Sequence, residues 1–164
     1  MTYPDAFSNL MLLECSSLQG SPPYGITQSI FDSWAISKGI GHQDVNSLSR
    51  ILASDFAQDE YWNPCGGGSL PDKLDFVVFQ FGYNAGLYEA ITSLQKAIGV
   101  TEDGVIGPIT LKTANQFPLV DTCKAVFTYQ NAFYKKIENP SDVKYEGGWH
   151  NRVSRTARIV GITL

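Results

Sequence analysis

Charge is scarce in this chain: only 17% of its 164 residues are Asp, Glu, Lys or Arg. Low-complexity segments and internal repeats are absent. No run of about 18 apolar residues occurs, which speaks against a membrane-spanning helix, and no membrane insertion is expected. The start, Met1-Thr-Tyr-Pro-Asp5, lacks a basic segment, and Met11-Leu-Leu13 is too short for a signal core. The sequence therefore predicts no secretory signal and synthesis in the cytoplasm. Cysteine is rare and odd in number. Cys15, Cys65 and Cys123 are widely spaced and form no CxxC or Cys/His pattern, so no zinc site is expected and free buried thiols are. The two histidines, His42 and His150, are isolated. No metal and no cofactor are expected. No basic cluster is interleaved with aromatics, so a nucleic-acid partner is not expected either.

What is present is apolar and aromatic. Hydrophobic residues make up 43% and aromatics 12%, enough for a core with aromatic faces to spare for a sugar-binding groove. The length fits one domain, or one domain with two lobes. The net charge of −4 is uneven: residues 1–123 carry 13 acidic against 5 basic side chains, and residues 124–164 carry 3 against 7. A basic tail is compatible with polyanion binding; a solvated helix face is the simpler reading.

The hydrophobic periodicity is helical throughout and predicts an all-α fold. A first helix over 4–18 puts Phe7, Leu10, Met11 and Leu13 on its apolar side and Glu14 near its end. Residues 20–25 form a Pro/Gly loop, and Thr27 is placed to cap a helix over 29–37. Asp44 or Asn46 is placed to cap a long helix running to Tyr61, with Leu48, Ile51, Leu52 and Phe56 inside. Residues 63–71, rich in Gly and Pro, read as a flexible link. Residues 71–98 form the longest helical stretch; its centre is apolar nearly all round, the mark of a buried helix. Gly82 and Gly86 mark close packing or a kink within it. Further helices are expected near 108–116, 119–137 and 149–160.

Residues 94–111, LQKAIGVTEDGVIGPITL, read as a helical corner. Gly99 stands where a left-handed stop is expected, Asp103-Gly104 is a turn pair, and Pro108 opens the next helix. Val105 and Ile106 are expected to plug the space between the two helices. Replacing Asp103 or Gly107 is expected to cost folding before binding.

These pieces resemble glycoside hydrolase family 108, phage-type muramidases with a peptidoglycan-binding subdomain behind a lysozyme-like lobe. The resemblance rests, in order, on Glu14, Gly25-Ile-Thr27, Tyr61-Trp62, Asn84-Ala-Gly86, the corner at 94–111, and Gly148-Trp-His-Asn-Arg152. It implies a lysozyme-like fold of two helical lobes around a long buried central helix. Residues 1–68 would be the catalytic lobe and 69–164 the lobe with the corner, together one compact domain. The chain departs from the family pattern in three places: Glu14 is followed by Cys-Ser-Ser rather than Gly-Gly-Tyr, the loop to Gly25 has no Asp, and Gln80 stands where an Asp is usual.

The resemblance implies Glu14 as general acid, and a carboxyl flanked by Leu12, Leu13 and Cys15 is suited to the role because withdrawal from water favours its protonated form. No second carboxylate lies between Glu14 and Thr27. Either a later one such as Asp44 serves, or Thr27 orients a water, or the substrate N-acetyl group takes part. Thr27 as a plain helix cap remains the alternative. Tyr24, Tyr61, Trp62 and Tyr83 are candidates for sugar stacking or for core packing. Gln80 and Asn84, one turn apart, either line the cleft floor opposite Glu14 or bond within the core. Trp149 is expected to pack on the corner and Arg152 to pair locally. The expected function is a lysozyme-like peptidoglycan hydrolase, a monomer acting on cell-wall glycan strands outside the membrane, delivered by a holin or a secretion machine. The alternatives are a non-catalytic wall-binding or virion-associated protein, a lytic transglycosylase and an antibacterial effector.

Overall fold

The computed structural model describes residues 1–14, 23–137 and 146–164, with the side chains of 146–150 outside the description. Among the described residues there are eight α-helices and no strand. They are α1 (Tyr3–Glu14), α2 (Gln28–Ser37), α3 (Arg50–Ala57), α4 (Leu74–Ala85), α5 (Leu87–Ile98), α6 (Pro108–Ala114), α7 (Leu119–Ile137) and α8 (Glu146–Ile159). Single 3-10 turns occupy Pro23–Gly25 and Val45–Ser47, and a π-helical turn, Gln58–Trp62, continues α3. Where the first helix was expected to run on to residue 18, the structure describes it only to Glu14. No helix among the described residues is long and apolar enough to cross a membrane.

The centre is α4. Every residue from Leu74 to Gly82 is buried, and α5 and α7 pack along it while the π turn covers another side. The stretch expected as one helix is two. At Gly86 the backbone takes φ 99 and ψ 145, which ends α4 and starts α5; a residue with a Cβ adopts that conformation only at a cost. The break lets α5 fold back against the helix it leaves. Gly82 sits at the tightest point of that return, where an added Cβ would lie 3.2 Å from Leu87.

Several loop expectations change. Asp44 caps only the short turn, accepting from the Asn46 amide at 2.9 Å, and α3 has its own cap in Ser49, which accepts from Leu52. Of the stripe expected inside, Leu48 and Phe56 are buried and Leu52 is half-buried, but Ile51 is 74% exposed; Ala53 and Ala57 are buried with Phe56. The 63–71 segment is not a loose link. Cys65 and Leu70 are buried, its turns are closed by backbone bonds such as Gly67 N to Trp62 O at 2.8 Å, and Gly66 lies against Ile106. Free thiols Cys65 and Cys123 are both buried, and burial pushes each up to about 12. Cys15 lies outside the described residues.

The corner forms as expected at Gly99, which takes φ 71 and stops α5, and at Pro108, which begins α6. Its lock is Gln95, fully buried. The Gln95 amide donates to Asp103 Oδ1 at 2.6 Å, to the Val105 carbonyl at 3.0 Å and to Thr110 Oγ1 at 3.3 Å, and it accepts from the Gly104 amide at 2.9 Å. Those bonds, Gln95 first and the Val105 amide second, hold the Asp103 carboxyl below the usual range. Of the expected plug, Ile106 is half-buried against Gly66, while Val105 is 60% exposed because its carbonyl, not its side chain, turns inward to Gln95.

Gln95→Leu leaves the half-buried Gly104 amide and the buried Thr110 hydroxyl without this partner and is expected to cost about 1–3 kcal/mol by thermal unfolding. Gly107→Ala is the contrast. Gly107 has an ordinary extended backbone and open space at its Cβ position. Contrary to the expectation from sequence, Ala there should change stability by no more than about 0.5 kcal/mol.

Candidate active site

Glu14 is the last residue of α1, and its side chain is 11% exposed. Its Oε1 meets Arg152 Nη2 from α8 at 2.7 Å. Arg152 is itself buried, so the chain does not leave it to pair locally: its partner lies at the opposite end of the sequence. Its Nε donates to Gln80 Oε1 at 3.1 Å and its Nη2 reaches the Gln80 carbonyl at 3.4 Å. Gln80 donates to the Val77 carbonyl at 3.1 Å and to Gln130 Oε1 at 3.0 Å. Gln130 donates to the Tyr134 hydroxyl at 2.9 Å, and that hydroxyl donates to Asn84 Oδ1 at 2.8 Å. Burial raises the Tyr134 phenol above its usual range, which keeps it a donor. A polar chain thus runs through an apolar interior with its members bonded in sequence, as buried polar groups require.

On the other side Glu14 touches the Pro23–Gly25 turn. A Cβ at Gly25 would lie 2.9 Å from Glu14 Oε2, and Gly25 has φ 73. Tyr24 holds φ 61, the left-handed region that costs a non-glycine residue about 1–2 kcal/mol. The Tyr83 hydroxyl compensates by donating to the Tyr24 carbonyl at 2.7 Å. Burial, and after it the nearby Glu14 carboxylate, hold the Tyr83 phenol far above its usual range, so it stays a donor. The turn is therefore pinned from α4 and presses its glycine onto the carboxyl of α1.

An aromatic wedge supports this arrangement. Tyr83 packs on Tyr61 at 4.9 Å between ring centroids, Tyr61 on Phe56 at 5.9 Å, and Phe79 on both Tyr83 and Trp62. Each such pair contributes about 0.5–1.5 kcal/mol beyond its buried area. Tyr24, Tyr61 and Tyr83 are half-buried and keep exposed surface beside Glu14 or its neighbours. Trp62 does not: it is 4% exposed, it packs with Tyr3 and Phe79, and a Cβ at Gly67 would lie 2.2 Å from its ring. Gln80 is fully buried and takes the in-core alternative, whereas Asn84 is exposed. Thr27 occupies the N-cap position of α2 yet makes no side-chain capping bond, and it is exposed. Asp44 is engaged with Asn46 in its own turn. The group bonded to Glu14 is a guanidinium rather than a second carboxyl. Residues 15–22 and the Trp149 side chain lie outside the described residues. No group of three metal-ligating side chains comes together among the described residues.

The glycosyl hydrolase 108 family model matches residues 19–86, and a model described as a predicted peptidoglycan domain matches residues 89–154. The chain carries a glycosyl hydrolase 108 segment followed by a peptidoglycan segment. It is a peptidoglycan hydrolase of the lysozyme-like, muramidase type, and its substrate is the bacterial cell wall. Its fold is similar to the structure of Brucella abortus SagA, with TM-score 0.80 and 25% identity over 96% of this chain and 92% of that one. No curated protein matches the sequence. The two family segments meet between residues 86 and 89, at the Gly86 break between α4 and α5.

Sequence reasoning missed the connecting chain. Gln130 and Tyr134 carried no motif, and Arg152 was read as a local pair. One signal was available: a Gln at the centre of an apolar helix must find a buried partner, and Gln130 and Tyr134 share one face of the long helix α7 at i, i+4. The close approach at Gly25 was also invisible, since its motif shows only the need for a glycine.

Gly25→Ala forces a Cβ against a clamped carboxyl and a left-handed backbone on alanine. We expect a loss of about 1–2 kcal/mol in thermal unfolding and a fall of about 100-fold in reducing-end release from purified wall, because small displacements of a reacting group are costly. Unchanged activity would mean that the turn does not set the Glu14 position.

Proposed function

We propose that Glu14 is the general acid that protonates the glycosidic oxygen between N-acetylmuramic acid and N-acetylglucosamine. The observation that carries this reading is the setting of its carboxyl: near-buried at a helix end, held on Oε1 by Arg152 and contacted on Oε2 by the Gly25 turn. Glycoside cleavage needs a proton on the leaving oxygen and stabilisation of an oxocarbenium-like transition state. Glu14 supplies the first as the C–O bond breaks. Thr27, whose hydroxyl is not spent on capping, orients the water that attacks the anomeric carbon. Tyr24, Tyr61, Tyr83 and Asn84 supply surface for sugar rings, with Trp62 and Gln80 supporting them from within the core. Residues 1–68 and 69–164 act as two lobes of one domain, and the protein works as a monomer. It fits a bacteriolytic endolysin of phage type, brought to the wall by a holin or a secretion machine.

One observation favours a second reading of the chemistry. A guanidinium, that of Arg152, lies against Glu14, and the carboxylate of Asp44 is engaged with Asn46. A single acid also suffices for participation by the substrate N-acetyl group or for lytic transglycosylation. Mass spectrometry of released muropeptides separates the outcomes: reducing muramic acid marks hydrolysis, and anhydro ends mark transglycosylation.

Glu14→Gln tests the assignment. The amide keeps a hydrogen bond to Arg152 but has no proton to give. Release of reducing ends should fall by about 10²–10⁴-fold, while the variant still unfolds cooperatively and still pellets with wall. A folded variant with wild-type release removes Glu14 from the mechanism. Wild-type protein that binds wall but releases no sugar ends at any pH would instead support the non-catalytic reading.

A further inference from the structure

The polar chain at the site crosses the boundary between the two family segments. Gln80 and Asn84 belong to the hydrolase match, whereas Gln130, Tyr134 and Arg152 belong to the peptidoglycan match. We propose that Arg152 is a positioning residue for Glu14, so that the segment matched as a peptidoglycan domain completes the catalytic centre in addition to any grip on the wall. This inference rests on Glu14 being the acid.

The geometry argues it in three steps. A glutamate at the last residue of a helix has several rotamers and little to choose between them. The guanidinium removes that freedom, because its planar fork is fixed before it reaches Glu14. Nε sits on Gln80 Oε1 and Nη2 on the Gln80 carbonyl, so α4 sets the plane and holds Nη2 at 2.7 Å from Glu14 Oε1. Gln80 is in turn held by Val77 and Gln130. An ammonium has no such fork and cannot transmit an orientation.

Second, α8 also holds the backbone under Glu14. Arg155, three residues on from Arg152, donates to the Leu12 carbonyl in the last turn of α1. That bond ties α8 to the backbone two residues before Glu14. One helix thus fixes both the end of α1 and the carboxyl it carries.

Third, the arrangement distinguishes the two oxygens. Oε1 lies at ion-pair distance from the guanidinium, and Oε2, the oxygen on the side of the Gly25 turn, is the one assigned the acidic proton. When Glu14 gives that proton to the leaving oxygen it becomes a carboxylate, and the guanidinium at 2.7 Å is the counter-ion already in place.

The test measures kcat and KM separately on soluble peptidoglycan fragments for wild type, Glu14→Gln, Arg152→Lys, Arg152→Gln and the double variant Glu14→Gln/Arg152→Gln. Thermal unfolding and wall pelleting check folding. If Arg152 acts through Glu14, Arg152→Gln lowers kcat about 100-fold and Arg152→Lys about 10-fold or more, with KM within about twofold. The double variant is then no slower than Glu14→Gln alone. The proposal is overturned if folded Arg152 variants keep wild-type kcat, if they raise KM and leave kcat, or if their losses multiply with that of Glu14→Gln. Should Arg152→Gln not unfold cooperatively, Arg152→Lys decides, since it keeps the buried charge and removes only the fork. Wild-type activity in Glu14→Gln would refute the acid assignment itself, a result distinct from any obtained with the Arg152 variants.

Discussion

A guanidinium buried in a helical core has to be balanced, and much of this structure follows from how that is done. Arg152 is 8% exposed. Burying such an ion costs several kcal/mol unless its charge and its donors are satisfied. Glu14 lies at 2.7 Å from the guanidinium and Gln80 accepts from its donors. These partners come from the first helix, the central helix and the last, so the pair forms only when all three are docked. The same interaction that makes the core tolerable for Arg152 fixes the place of the carboxyl.

The cleft side is built with the opposite logic. There, strain is held by ordinary packing. Tyr24 sits in a left-handed conformation because Tyr83 holds its carbonyl, and Tyr83 is held by Tyr61 and Phe79. The π turn at Gln58–Trp62 directs Tyr61 to Tyr83 and Trp62 inward to Phe79. A strained turn against a clamped acid is the kind of preorganisation that active sites favour.

What could be read from sequence was local. The helix over 119–137, the stop at Gly99 and the start at Pro108 depend on neighbours a few residues away, and each stands where the pattern put it. Gly86 announced a break, though not that the chain would fold back on itself. What could not be read was which surface covers which. Ile51 and Val105 are apolar and lie outside, because periodicity names a face without naming its cover. The Gly-rich stretch at 63–71 read as flexible, yet Trp62 and Ile106 need its small residues as close neighbours. Glu14 was legible only through its resemblance to a family pattern. Its partner was not, because Arg152 stands near the other end of the chain. Gln80 declared that a partner was needed but nothing near it said which.

The most direct measurement is a crystal structure of the Glu14→Gln variant with a peptidoglycan glycan fragment bound. The account predicts a glycosidic oxygen within hydrogen-bond distance of the side chain at position 14, with that side chain still bonded to Arg152 and sugar rings against Tyr24 or Tyr83. A fragment seated only on the 94–111 corner, or one that binds with position 14 turned away from it, would contradict the account.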